Sequence, residues 1–274
     1  MATLYLVGTP IGNLEDITLR AVRVLSEVSL VAAEDTRRTR KLFARHGIAT
    51  PLTSYDEQGR HTKLRRILER LREGDVALVT EAGMPTISDP GYSLVTAALD
   101  EGVRVEVVPG PSAVTSALAV SGLPPDQFTF LGFLPRTAGQ RRRLLASVAG
   151  EARTLVAFEA PHRLRAALAD IDAIMGQRRL AVCRELTKLH EEVFRGTAAE
   201  ALQHFERPRG EITLVLQGSD RPQEQTGDDE IRERLGQLRD GGFGARDAVG
   251  LVTEESGRPR REVYRLWVEL TSDG

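Results

Sequence analysis

The sequence predicts a two-domain α/β protein that ends in a small helical appendage, and three observations predict it. Through the first 121 residues, short and nearly unbroken apolar runs alternate with helix-length stretches, the pattern of a parallel or mixed sheet covered on both faces. The rhythm changes at Gly122-Leu-Pro-Pro125, where paired prolines cannot continue a helix, and a second set of strands follows. A polar, apolar-poor segment at 219–228 then sets off a tail with helical pattern alone. The expected boundaries are 1–121, 122–218 and 219–274.

The first strand is Leu4–Val7, too short for a helix and closed by Gly8 and Pro10, and a helix is expected from Asp16 to Leu25. Strand Leu30–Ala33, a polar helix through Arg45, a brief strand Pro51–Tyr55, a helix His61–Arg72 and strand Val76–Val79 follow. Arg104–Val108 and the helix Ser112–Val120 complete the first domain. In the second, the strands are Phe128–Phe133, Thr154–Glu159, Leu180–Arg184, Val193–Gly196 and Ile212–Leu216. Its helices are Gln140–Val148, Arg163–Met175 and Ala198–Phe205. Two strands between 180 and 197 lack an intervening helix, which predicts antiparallel pairing there. The tail reads as helices at Glu230–Leu238, Ala245–Glu255 and Arg261–Leu270.

Composition narrows the function. No apolar run approaches the roughly 18 to 20 residues of a membrane span, the N-terminus has no signal-peptide pattern, and a lone Cys183 fits a reducing cytoplasm. The formal charge of −2, from 37 basic and 39 acidic side chains, argues against a simple nucleic-acid-binding module. Its distribution qualifies that. All the basic residues but Lys41, Lys63 and Lys188 are arginine, the side chain best matched to phosphate, and they cluster at 37–45, 60–66 and 136–143. Each cluster reads equally as a solvated helix face.

The loops that end strands hold the unusual residues, where open α/β sheets bind ligands. Gly8-Thr-Pro-Ile-Gly-Asn13 has neither the Gly-Lys-Ser/Thr ending of a phosphate loop nor a dinucleotide fingerprint, so ATP and NAD are disfavoured. Thr80-Glu-Ala-Gly-Met-Pro-Thr-Ile-Ser-Asp-Pro-Gly91 is far longer than a minimal strand-to-helix connection and brings backbone amides within reach of a ligand. Pro109-Gly-Pro-Ser112 places Ser112 at a helix start, where capping explains it equally well. Glu34 and Asp35 sit beside Arg37 and Arg38 at another strand end, as proton acceptors, partners of the arginines or helix caps. His162 begins a helix after Phe158-Glu-Ala-Pro161. No His/Cys/Asp/Glu group has metal-ligand spacing, and no Gly-x-Ser-x-Gly elbow is present.

Seven ordered motifs carry a resemblance: Gly-Thr-Pro-Ile-Gly-Asn-Leu-Glu-Asp-Ile-Thr (8–18), Ala-Glu-Asp-Thr-Arg-Arg-Thr (33–39), Ala-Gly-Met-Pro-Thr-Ile-Ser-Asp-Pro-Gly (82–91), Val-Pro-Gly-Pro-Ser-Ala (108–113), Gly-Phe-Leu-Pro-Arg (132–136), Glu-Ala-Pro-His-Arg (159–163) and Arg-Glu-Leu-Thr-Lys (184–188). In order and spacing, over residues 3–218, the chain resembles the ribosomal RNA small subunit methyltransferase I family. The tail, with Ala245-Arg-Asp-Ala-Val and Arg261-Glu-Val-Tyr264, matches it more weakly.

The resemblance implies the tetrapyrrole-methylase fold (class III), two α/β domains with S-adenosylmethionine in the cleft between them, and a homodimer. It implies methylation of a cytidine ribose 2′-hydroxyl in the decoding region of 16S ribosomal RNA. The family's cofactor loops fall on Pro10, on Ala82, Gly83, Met84 and Pro85 with Ile87, Ser88 and Asp89, on Ser112 and Ala113, and on Ala160 and Ile212. The chain departs from the family's Ser-Asp-Ala-Gly-Thr-Pro at Thr80, Glu81 and Met84, and Ser54–Arg60 lacks the family's Asn.

Methyl transfer from a sulfonium to a hydroxyl needs alignment above all, and a base adds about 10² to 10⁴. The base candidates are Glu34, Asp35, Lys188 if burial lowers its pKa, and His162. Arg37, Arg38, Arg136, Arg141, Arg142 and Arg143 are the expected phosphate contacts. Two other readings stay open: a tetrapyrrole methyltransferase of the same fold, which needs a large apolar cleft, and a noncatalytic ribosome-binding factor, which Met84 keeps in view.

Overall fold

A computed structural model describes residues 2–55, 60–219, 227–241, 243–256 and 258–272. Most of the polar segment at 219–228 and of the 54–60 loop lies outside the described residues. Met1–Ala149 with Arg153–Gly218 form one compact unit, and Gly150–Ala152 with Ser219–Gly274 a second.

The larger unit contains two five-stranded sheets. The first comprises β1 (Thr3–Val7), β2 (Leu30–Ala33), β3 (Leu52–Ser54), β4 (Val76–Val79) and β5 (Arg104–Val108). All pairs are parallel, in the order β3-β2-β4-β1-β5. Successive side chains of a strand point to opposite faces. Val7, Val31, Ala33 and Val79 accordingly pack on one face with Val24, Leu25 and Phe43. Leu4, Ala32, Val76 and Leu78 pack on the other with Ile67, Leu71 and Leu94. Those partners come from α1 (Leu19–Glu27), α2 (Thr36–His46), α3 (Arg60–Leu71) and α4 (Tyr92–Asp100).

Two local differences from expectation have clear causes. The helix expected from Asp16 is a 3₁₀ turn, Leu14–Asp16, followed by α1, whose start is fixed by Thr18 accepting the Ala21 N–H at 3.0 Å. Helix α4 has no counterpart among the expected elements: its start at Tyr92 follows Gly91 without a side-chain cap, and only Leu94 and Ala98 are buried.

The second sheet holds β6 (Phe128–Phe133), β7 (Thr154–Glu159), β8 (Arg179–Arg184), β9 (Glu192–Thr197) and β10 (Ile212–Leu216), in the order β6-β7-β10-β8-β9. Only β6 and β7 run parallel. The expected antiparallel pairing is present between β8 and β9. One face packs on α6 (Ala138–Ser147), α7 (Leu164–Met175) and α8 (Ala198–His204) through Leu145, Leu168, Ile171 and Ala201. The opposite face, with Val156, Ala181, Cys183 and Val215, packs on Val114, Ala117 and Leu118 of α5 (Ala113–Ser121). The helix that completes the first βα series therefore lies on the second sheet.

The smaller unit is formed by α9 (Asp228–Asp240), α10 (Ala245–Ser256) and α11 (Arg260–Ser272), with Ile231, Leu235, Val249, Leu266 and Trp267 in its core.

Candidate active site

The carboxyl ends of the first sheet's strands send three loops to one cleft. After β1, Thr9 and Gly83 exchange both backbone hydrogen bonds, at 2.9 and 3.0 Å, tying the 8–13 loop to the 80–91 loop. Gly8 meets Gly110 of the loop after β5 backbone to backbone: a Cβ on Gly8 would lie 2.8 Å from Gly110 Cα and 2.7 Å from Met84 Sδ. Only glycine allows that approach. Within the 80–91 loop, Thr86 (φ 74°) and Ser88 (φ 64°) are left-handed without being glycine. Such residues persist only where surrounding contacts enforce them, typically at functional loops.

The second sheet supplies the opposite wall, where the Phe133 and Phe158 rings meet edge to face at 5.3 Å beside Ala160 and Ile212. The cleft between these walls measures about 350 Å³, within the range of roughly 300 to 1,000 Å³ typical of small-molecule sites. Ala82, Gly83, Met84, Ile87 and Asp89 line it from the long loop, and Ser112 and Ala113 from the start of α5. Pro10 lines an adjoining cavity of about 470 Å³. Pro85 is buried inside the loop and Ser88 is exposed, and neither lines the two cavities. Ser112 occupies the N-cap position of α5, but its side chain makes no capping hydrogen bond.

Residues 3–202 match the family model for Tetrapyrrole (Corrin/Porphyrin) Methylases. A protein of Thermotoga maritima called ribosomal RNA small subunit methyltransferase I is 54% identical, the match covering 80% of this chain and 100% of that one. One of the same name from Synechocystis is 45% identical with 100% of both chains covered. The chain belongs to the ribosomal RNA small subunit methyltransferase I family. Solved structures with the same fold include a diphthine synthase (TM-score 0.61, 16% identity, 79% of this chain and 90% of that one). Another is a Thermus thermophilus uroporphyrin-III C-methyltransferase complexed with S-adenyl homocysteine (TM-score 0.59, 20% identity, 79% and 97%).

The charged residues around this methyltransferase cleft form two groups. Glu34, at the end of β2, accepts the Glu81 N–H at 3.1 Å. Burial raises its pKa, and this outweighs that bond. Asp89 faces it across the loop: burial, reinforced by the Glu34 charge, pushes the Asp89 pKa up to about 7. The Thr80 hydroxyl beside Asp89 is buried and has no hydrogen bond of normal geometry. In the second group, Lys188 binds Glu185 at 2.8 Å and Glu211 at 3.0 Å, while Arg38 binds Glu81 at 3.1 Å and approaches Glu211 at 4.0 Å. Lys188 and Glu185 lie in a turn where Glu185 (φ 51°) and Thr187 (φ 66°) are both left-handed.

This geometry corrects several sequence-based assignments. Burial alone would lower the Lys188 pKa, but hydrogen bonds to Glu185 and Glu211 overcome it and raise the pKa, the opposite of the burial-lowered base expected from the sequence. Asp35 caps α2, accepting the Arg37 N–H at 2.7 Å and the Arg38 N–H at 3.4 Å, and those bonds lower its pKa. His162 is an exposed member of the 3₁₀ turn Pro161–Arg163 and lines neither cavity. Arg141 is only 3% exposed and binds Asp170 at 2.6 Å, so it makes no phosphate contact. Arg142 shares Asp170 at 2.6 Å while staying largely exposed. Arg37, Arg136 and Arg143 stand at the surface.

Sequence reasoning missed Phe133, Phe158, Glu159 and Glu211 as cleft residues. Phe133 ends β6 and Phe158 is the penultimate residue of β7, both strands that were expected in place, so an aromatic near a strand end was the available signal. Glu159 and Glu211 become cleft residues through the pairing of β7 with β10, where Ile212 lies opposite Glu159. No local pattern announces a pairing between strands so distant in sequence. Among the described residues, no group of three or more His, Cys, Asp or Glu side chains is arranged to hold a metal. No helix among them is long and apolar enough to cross a membrane.

Proposed function

We propose that the chain, acting as a cytoplasmic homodimer, transfers the methyl group of S-adenosylmethionine to the ribose 2′-hydroxyl of a cytidine in the decoding region of 16S ribosomal RNA. The observation that carries this is the convergence of the 8–13, 80–91 and 109–113 loops with the Phe158–Ala160 and Glu211–Thr213 segments on one cleft, in a chain of this family. The cleft fits the cofactor. Phe133, Phe158 and Ile212 offer an apolar zone for a purine, and Asp89 and Glu81 offer carboxyls to a cationic donor. Glu159 adds a buried Oε2 with no hydrogen-bond partner.

The bound donor supplies an activated methyl group. The chain's own residues align the hydroxyl with it, an arrangement that in general contributes about 7 to 11 kcal/mol. Asp89 is the group suited to take the proton. It lines the cleft, and a pKa of about 7 matches the working pH of a general base. Burial holds it there, and Glu34 adds to this by disfavouring a second negative charge. As the acceptor hydroxyl takes the methyl group that the bound donor would supply, its proton would pass to the Asp89 carboxylate.

The deciding experiment compares assembled small subunits, naked ribosomal RNA and a tetrapyrrole as acceptors, and maps the product by resistance of the adjacent phosphodiester to alkali. A methylated base, or a methylated tetrapyrrole with unmodified RNA, overturns the assignment. Asp89→Asn is expected to lower kcat by about 10² to 10⁴ with little change in S-adenosylhomocysteine affinity. Reduced affinity with an unchanged kcat would make Asp89 a cofactor ligand instead.

A further inference from the structure

The Glu-Ala-Pro-His-Arg segment (159–163) runs from the end of β7 through the 3₁₀ turn Pro161–Arg163 into α7. Ala160 and Pro161 line the donor cleft. Glu159 and Arg163, at the two ends of the segment, meet each other: Arg163 Nη2 lies 2.6 Å from Glu159 Oε1, which also accepts the Ala160 N–H at 2.7 Å. The Glu159 side chain is fully buried and that of Arg163 mostly so. The other arm of the guanidinium, Nη1, donates to the Leu134 carbonyl at 3.2 Å. One planar fork therefore grips the last residue of β7 and the residue that follows β6.

The neighbours of those two anchor points are the aromatic wall of the cleft. Phe133 precedes Leu134 and Phe158 precedes Glu159, and their rings meet edge to face at 5.3 Å. Regular strand pairing does not set this geometry. From Phe128 to Phe130, β6 pairs in step with β7, and the register then shifts between Phe130 and Phe133, around a left-handed Gly132 (φ 67°). An irregularity of this kind disrupts the ladder locally and re-aims the side chains beyond it. Phe133 is also 57% exposed, so packing holds it only in part. Past the irregularity, Leu134 donates its N–H to the Phe158 carbonyl at 3.1 Å and gives its own carbonyl to Arg163. Burial raises the Glu159 pKa, while the Ala160 N–H and the Arg163 charge pull it down, so the carboxylate relies on both to stay charged.

We infer that Arg163 is a positioning residue for the methyl donor, its guanidinium clamping the ends of β6 and β7 through Leu134 O and Glu159 so that Phe133, Phe158 and Ala160 form one wall. The inference rests on the reading of this cleft as the donor's site and adds a residue that shapes it without lining it. A lysine does not replace the fork, because a single ammonium is a point donor and lacks the rigid plane that spans two acceptors.

The test measures S-adenosylhomocysteine binding by calorimetry, with thermal melting, on the full chain and three variants: Arg163→Met, Arg163→Lys and, as control, Arg165→Met. Arg165 lies on the same helix and ties the Leu202 and Phe205 carbonyls at 2.6 and 2.7 Å, away from the cleft. Arg163→Met is expected to raise the Kd about tenfold, the effect of one lost charge-assisted hydrogen bond. Arg163→Lys should regain melting temperature but stay weaker in binding by a similar factor, and Arg165→Met should melt lower while keeping its Kd within about twofold. In methyl transfer to small subunits, Arg163→Met should raise the donor KM about tenfold and leave kcat at saturating donor within about twofold, since Asp89 and Glu34 lie on the other wall. Wild-type affinity in either Arg163 variant, equal losses of affinity in Arg163→Met and Arg165→Met, or a lowered kcat with an unchanged donor KM overturns the inference. Should Arg163→Met not fold, Arg163→Lys carries the same test. Failure of the wild type to bind S-adenosylhomocysteine overturns the reading beneath it.

Discussion

Replacing Gly8 by alanine tests whether the cofactor loops are held by close backbone contact. The new Cβ would sit 2.8 Å from Gly110 Cα and nitrogen and 2.7 Å from Met84 Sδ, well inside van der Waals contact. The sulfur ends a flexible side chain and can move, but the Gly110 backbone cannot without shifting the whole 109–112 turn. Overpacking of this kind costs about 1 to 3 kcal/mol. Expressed wholly as lost binding, that is about a 5- to 150-fold rise in the S-adenosylhomocysteine Kd. Expressed wholly as lost stability, it lowers the melting temperature by about 2 to 4 °C per kcal/mol. Calorimetric titration and thermal melting together capture both. Gly8→Ala with Met84→Ala should recover only part of the loss, because the backbone obstacle remains. Gly139→Ala, whose Cβ meets nothing within 4 Å, should leave binding unchanged. A Gly8→Ala protein with wild-type affinity and melting would refute the close-contact argument.

Other perturbations probe the charged groups. Asp170→Ala strands the buried Arg141 and should cost about 3 to 5 kcal/mol in urea unfolding. Burial opposes the Asp170 charge, but hydrogen bonds from Arg142 and Arg141 prevail and lower its pKa. This stabilisation is therefore present above the ordinary Asp pKa and fades as pH falls through the folded value, so the gap should narrow below about pH 4; a constant gap contradicts it. Asp89 behaves oppositely. Between about pH 4 and its folded pKa of about 7 the native state keeps a proton that the unfolded chain has lost, so wild-type stability falls with pH across that window. Asp89→Asn should gain relative stability from pH 4 to 7 and hold a flat advantage above, whereas a pH-independent difference would sink this account. Lys188→Met should lower the rate by about tenfold through loss of the charge-assisted Glu211 contact, while leaving the limb of the pH–rate profile set by Asp89 in place. Disappearance of a limb would return Lys188 to the role of base.

Much of the fold was legible because strands such as Val76–Val79 and Ile212–Leu216 are apolar on both faces and are bounded by Gly, Pro or charge. Helix α4 was not, since Tyr92–Asp100 is introduced by a loop rich in Gly and Pro and carries no capping side chain. At the site, the 80–91 loop announced itself by length and composition. What stayed hidden depends on three-dimensional partnership. Arg141 reads like its neighbours Arg142 and Arg143 until α7 brings Asp170 against it. Lys188 reads as a possible base until the turn at 185–188 and the start of β10 surround it with carboxylates. Asp89 gained its weight in the same way, from burial in the folded loop reinforced by the charge of Glu34 at a different strand end.

The seat of α5 on the second sheet has a mechanical consequence. A chain cut at Gly122 would sever one peptide bond, yet Val114, Ala117 and Leu118 would be torn from Val156, Ala181 and Val215. The two sheets are thus braced by a strut whose first residues, Ser112 and Ala113, line the cavity itself. The covalent joint between the two sheets is therefore the 109–112 turn, beside the cavity wall, and not the proline-rich segment after Gly122.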